Sequence, residues 1–133
     1  MKKIIFNISF SVICFSLYSQ STKQEEILTK WKQDAGCVRK IKDAKYIRDS
    51  IDWNGKTLGY ITLKLGEPDL YYEQRYREIN KESGITEKKS LIYLEYFCSL
   101  ICEDGVRVEN SDRCWISVMI ASNKFYSIFV ECE

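Results

Sequence analysis

"KTLGYITLKLGEPD", Lys56 to Asp69, carries the only proline of the chain two residues after a glycine, and its reading decides whether the middle of the protein contributes a helix or a strand. As a helix, Thr57 is the N-cap, Leu58, Ile61 and Leu65 form the buried stripe, and Gly66 lies just past the C-terminus. As a strand, Ile61, Leu63 and Leu65 alternate with Tyr60, Thr62 and Lys64, and the composition has high β propensity. The pattern alone leans slightly toward the strand. The residues after Leu65 are less ambiguous: Gly66 tolerates a left-handed backbone, Pro68 pushes Glu67 to an extended shape, and Pro68 itself prevents the preceding element from continuing. Leu65, Gly66 and Pro68 therefore make a structural corner.

Upstream of the corner, Thr22 and Glu25 have capping-box spacing, and Ile27, Leu28, Trp31 and Ala35 share one side of a helix expected over 23–35, with Gly36 as its C-terminal cap. Val38, Ile41, Ala44, Ile47 or Arg48, and Ile51 recur at about helical spacing among basic residues, giving a short helix from about Ile41 to Asp52. "DWNG" then reads as a turn, with Asn54 and Gly55 tolerating positive φ.

Downstream, the chain reads as strands. "LYYEQRYREI" is rich in tyrosine but alternates poorly, and "NKESG" supplies a turn before "SLIYLEYFC". That second segment is apolar on both faces apart from Glu95, so a central strand with cover on both sides is expected. "CWISVMIASNKFYSIFVEC" reads as a terminal hairpin. With Ser122, Asn123 and Lys124 as its loop, Ile120 faces Tyr126, Val118 faces Ile128, Ile116 faces Val130, and Cys114 faces Cys132. This register gathers the large aliphatics on one face, whereas a one-residue slip sets Phe125, Ser127, Phe129 and Glu131 opposite them.

The first twenty residues have the parts of a secretory signal: Lys2 and Lys3, an apolar run from Ile4 to Leu17, then small and polar residues. Cleavage is expected near Ser19 or Gln20, leaving one α+β domain over 21–133. Ile13 stands where a lipobox wants a small residue before Cys14, so lipidation is not expected, and the run is short and interrupted by Asn7 for a bilayer core about 30 Å thick. Of 20 basic residues two leave with the signal, so 18 stand against 19 acids, which removes the bulk electrostatic case for nucleic acid. The chain has no histidine, which excludes Ser-His and Cys-His nucleophile pairs and histidine-ligated metals.

Six cysteines become five without the signal: Cys37, Cys98, Cys102, Cys114 and Cys132. In an oxidising compartment these make up to two disulfides and one spare thiol. Directly opposed positions of a hairpin lie within about 5.5 Å, which suits Cys114 with Cys132. Cys98 with Cys114 is the competing pair. Cys37 is expected to reach Cys98 or Cys102.

The order of elements, and "GKTLGYITLKLGEPD" before a tyrosine-rich strand, resembles the SmpA/OmlA family of small outer-membrane assembly lipoproteins and the fold-related β-lactamase inhibitory proteins. There a helix ends in "LGxP", matched here by Leu65, Gly66, Glu67 and Pro68. The segment Trp31, Asp34, Gly36 and Cys37 is similar to a "W..D..GC" motif of small secreted Bacteroidetes proteins. The resemblance implies two helices packed on one face of a three- to four-stranded antiparallel sheet, and it shifts "KTLGYITLKL" to helix.

Among candidate sites, the acidic connection with Glu103, Asp104, Glu109, Asn110 and Asp112 lacks the spacing of a calcium loop. Glu73, Glu78, Glu82 and Glu95 offer carboxylates, but nothing in their spacing selects a catalytic pair. Arg39, Lys40, Lys42, Lys45 and Arg48 read as a solvated helix face, with an acidic partner or anionic lipid as the functional alternative. Tyrosine joins large contact area to a polar tip, which suits binding surfaces. Of Tyr71, Tyr72, Tyr76, Tyr93, Tyr96 and Tyr126, about half are expected to pack the sheet against its helices. Tyr72, Arg75, Tyr76 and Tyr93 are the expected partner-binding residues. The expectation is an exported, disulfide-stabilised protein-binding or structural module of the cell envelope, periplasmic or extracellular, without catalysis, metal or cofactor. The alternative is an inhibitor or immunity protein that blocks a secreted enzyme or toxin.

Overall fold

In a computed structural model, which describes residues 2–34, 39–98, 102–103, 106–107 and 113–133, three helices precede an antiparallel sheet. The helices are α1 (Lys2–Gln33), α2 (Ile41–Ser50) and α3 (Leu58–Leu65). The strands are β1 (Leu70–Ile79), β2 (Thr86–Cys98), the short pair β3 (Cys102–Glu103) and β4 (Val106–Arg107), then β5 (Cys114–Ala121) and β6 (Lys124–Cys132). The main sheet has the order β1-β2-β5-β6, with every neighbour antiparallel. Among the described residues no helix is long and apolar enough to cross a membrane.

The corner stretch folds as a helix. Thr57 is its N-cap and accepts the Tyr60 N–H through Oγ1 at 3.3 Å. Ile61 and Leu65 are fully buried, each contributing roughly 1.5–3 kcal/mol. Past the last turn Gly66 takes φ 84° and ψ −170°, a region open almost only to glycine, and its N–H closes the helix on the Thr62 carbonyl. Lys32 donates to the Leu63 carbonyl at 2.9 Å, so the basic last turn of α1 satisfies the end of α3. Burial of this apolar stripe under the sheet outweighs the β propensity of the same residues.

α1 begins well before the expected start at Lys23. Thr22 does not cap it: its hydroxyl donates to the Tyr18 carbonyl one turn back, inside a continuous helix. Only the C-terminal part of α1 brings residues to the described core, through Leu28 and Trp31. α2 adds Ala44 and Ile47 and lies over β5 and β6. The inner face of the sheet answers with Leu94, Tyr96, Ile116, Val118 and Ile120. All three helices pack toward this one face, so the helical layer holds one more helix than the resemblance implies.

The terminal hairpin keeps the expected register at three rungs, Cys114 with Cys132, Ile116 with Val130 and Val118 with Ile128. Nearer the turn it departs. A bulge after Met119 pairs Ile120 with Phe125 instead of Tyr126, and the loop shrinks to Ser122 and Asn123, both at positive φ. That two-residue geometry matches the twist of the strands. The shift turns Phe125 toward the core and leaves Tyr126 exposed.

Cys114 and Cys132 form a disulfide, worth about 3 kcal/mol for a loop of this order in the chain-entropy model. This overturns the alternative bond from Cys98 to Cys114, although the two are register partners. Cys98 is a free, buried thiol, so it is not the partner of Cys37 either. Cys37 and the Cys102 side chain lie outside the described residues, as do the side chains of the acidic connection. Cys98, Cys114 and Cys132 thus stand in one row across three strands. Burial pushes the Cys98 thiol up to about 11.

Helices and sheet are joined at one buried cation. Arg39, the first residue of the basic run, is 3% exposed rather than on a solvated face. Its Nε donates to the Trp31 carbonyl at 3.0 Å, and its guanidinium lies 5.0 Å from the Trp31 ring centroid and 5.4 Å from that of Tyr96. Its Nη1 donates to Asp69 Oδ2 at 2.8 Å. The same carboxylate accepts the Phe97 N–H at 2.7 Å, while the Asp69 N–H donates to the Glu95 carbonyl. Tyr96 completes the joint by donating its hydroxyl to the Gly66 carbonyl at 3.0 Å.

Removing the Asp69 carboxylate leaves a buried guanidinium without its counter-charge. Asp69→Ala should cost about 3 kcal/mol or more in urea unfolding. In an Arg39→Met background the same change should cost at least about 1 kcal/mol less, and strictly additive costs would show that the pair is not coupled. Cys98 should resist thiol reagents at neutral pH in the native protein and react on unfolding. Rapid native labelling would contradict its burial.

Candidate functional site

Side chains along a strand alternate between faces, so the buried inner row defines the outer one. Leu94, Tyr96 and Cys98 point to the helices, which turns Leu91, Tyr93, Glu95 and Phe97 of β2 to the opposite face. Register then adds Leu70, Tyr72, Gln74 and Tyr76 from β1, Trp115 and Met119 from β5, and Phe129 from β6. β2 is central in the sheet, as expected, but the three helices cover only one of its faces. The other face is broad, aromatic and half-exposed.

At its centre Tyr72 and Tyr93 are direct cross-strand partners, with rings 4.8 Å apart and 8° from parallel. Each hydroxyl is anchored across the strands. Tyr72 donates to Glu95 Oε1 at 2.8 Å, and Tyr93 donates to Gln74 Oε1 at 3.1 Å. The stack is held at both tips, so its rings present area with little rotamer freedom left to lose on binding. Burial, and then the bond to Glu95, push the Tyr72 phenol up to about 12. Tyr76 lies further along β1 opposite Lys89, which also pairs with Glu78.

Three of the four expected binding residues, Tyr72, Tyr76 and Tyr93, therefore share this face. Arg75 does not: odd-numbered residues of β1 point to the helix side, where Arg75 sits opposite Ser90 and 3.4 Å from Glu73. Tyr71 is on that side too and is exposed, whereas Tyr96 is wholly buried. The aromatic contributions of Phe97, Trp115 and Phe129 were not among the expected site residues. Their signal was the alternation itself, since each is the out-of-phase neighbour of a core residue.

The remaining carboxylates do not assemble into a catalytic pair. Glu73 and Glu95 lie on opposite faces, Glu82 sits in the turn before β2, and Glu78 is held by Lys89. Among the described residues no group of three cysteine or carboxylate side chains is placed to hold a metal ion. An open groove along the outer ends of β1 and β2 is lined by Glu73, Arg75, Arg77 and Lys88 on one side and Tyr76 and Lys89 on the other. No family model, curated protein or solved structure matches the chain.

The raised Tyr72 phenol has a pH consequence. The folded state keeps this proton above pH 10, so any contribution to stability is present below the unfolded value near 10 and is lost as pH rises through about 12. Absorbance titration should show one phenol ionising near 12 that disappears in Tyr72→Phe. Glu95→Gln should lower that midpoint while leaving it above 10, because burial is the larger cause. A Tyr72 midpoint at 10 in the native protein would contradict the anchored stack.

Proposed function

We propose that this protein is an exported, disulfide-stabilised module that binds a protein partner through the open sheet face centred on Tyr72 and Tyr93. The observation that carries the reading is the clamped pair of tyrosines within an aromatic face that the three helices leave uncovered. Rigid aromatic rings with polar tips, ringed by Gln74, Glu95 and Lys89, have the make-up of contact surfaces between proteins. Export to the periplasm or beyond the cell is supported by the leader-like residues 1–20 and by the Cys114–Cys132 bond, which an oxidising compartment preserves. The resemblance to the SmpA/OmlA and inhibitor family fits the same reading, since both rest on protein contact.

The test is capture from the cell envelope with the full chain as bait, comparing wild type with a Tyr72→Ser/Tyr93→Ser double variant and with Tyr71→Ser on the opposite face. The double variant should lose the captured partner, with affinity falling about tenfold or more, while Tyr71→Ser keeps it. Equal capture by all three chains would remove the assigned face. A captured assembly complex would favour an envelope role, and a single hydrolase or toxin would favour the inhibitor alternative.

A further inference from the structure

The strand at one edge of the sheet is built unlike the strand at the other. β6 is bulged and is met at its start by the segment before α3, where Thr57 bridges to Lys124 and Phe125 donates its N–H to the Lys56 carbonyl. Among the described residues β1 has no such cover. It is ten residues long, pairs with β2 without a register shift, and is exposed at every position. It also lacks a proline, which commonly blocks pairing at sheet edges. An edge of this kind offers a row of backbone groups open to pairing, and among the described residues no helix packs on it.

We propose that two copies of this chain associate through β1, antiparallel about a two-fold axis at Gln74, to form a continuous eight-stranded sheet. The strand "LYYEQRYREI" is self-complementary in one register. A two-fold axis perpendicular to the sheet keeps each face on its own side, so residues opposed across the axis must share parity. Four such registers leave at least seven residues of each strand paired. Centred on Glu73, the axis sets Glu73 against its own copy. Centred on Arg75, it sets Arg75 against its copy. Centred on Tyr76, it sets Arg75 against Arg77 twice. Centred on Gln74, it opposes Glu73 to Arg75 twice and Tyr71 to Arg77 twice on the helix side. On the open side it opposes Tyr72 to Tyr76 twice. That register alone has no like charges opposed, and it pairs opposite charges and aromatic rings directly across the strands. Charges that elsewhere protect a sheet edge are thus arranged to fit a second copy. This dimer does not depend on the partner-binding reading above, but it would run the tyrosine face of one copy into that of the next.

The test is sedimentation equilibrium of the full chain up to millimolar concentration, with circular dichroism as the folding control. Wild type should dimerise. Arg75→Glu, which opposes like charges at two symmetric contacts, should weaken the dimer about tenfold or more. Glu73→Arg combined with Arg75→Glu exchanges the charges and should restore it. A wild type that stays monomeric, a dimer unaffected by Arg75→Glu, or a double variant that fails to recover while still folded would each overturn the proposal.

Discussion

A guanidinium buried against two aromatic rings must be given a counter-charge, and in this protein the counter-charge arrives on the residue that follows Pro68. Arg39 lies over Trp31 and Tyr96, and Asp69 reaches it from the start of the sheet. The geometry requires the chain to leave α3 along a path that only Gly66 can take, because its φ of 84° with an extended ψ is closed to other residues. One carboxylate then ties the loop before α2 to the backbone of β2 through the Phe97 N–H. A buried pair of this kind is weak as a source of net stability and strong as a constraint, since either partner alone is costly. Here it sets the position of the helical layer on the sheet.

That position has consequences for the rest of the molecule. With α1, α2 and α3 drawn to one face, the opposite face is left to Tyr72, Tyr93, Phe97, Trp115 and Phe129. The outer ends of β1 and β2 then run on past β5 as a two-stranded arm, because β2 pairs with β5 only over Leu91–Cys98. Residues 75–79 and 86–89 of that arm are exposed, with no core beneath them, so the arm belongs to the part of the structure that opens at least cost. The anchored tyrosines stand where the arm meets the supported sheet. A partner surface of the kind proposed would there combine a rigid base with an edge strand able to adjust.

Much of this was legible from residues. Thr57, Ile61, Leu65 and Gly66 each do in the structure what a helix reading of the corner asks of them, although the period alone leans the other way and the family resemblance is what tips it. The Cys114–Cys132 rung followed from the aliphatic face of the hairpin. The bulge after Met119 did not, because it depends on the positive φ of Ser122 and Asn123 and on space for Phe125 in the core. Arg39 was the larger miss. It sits in a run of bases whose other members are exposed or half-exposed, and its aromatic and acidic partners lie 8, 30 and 57 positions away, beyond the reach of any local pattern. Whether Arg75 or Tyr76 shares the face of Tyr72 and Tyr93 was not legible for a related reason, since "LYYEQRYREI" is exposed on both sides and hydrophobic alternation cannot tell them apart.

If the Arg39–Asp69 joint governs the fold in this way, it belongs to the cooperative core and is not a surface contact. Native-state amide hydrogen exchange tests this at one atom, the Phe97 N–H, whose acceptor is the Asp69 carboxylate itself. This amide should exchange as slowly as that of Ile116 in the buried sheet, opening only with global unfolding. Exchange of Phe97 at the rate of the arm amides of Arg77 and Lys88 would contradict a core role for the joint.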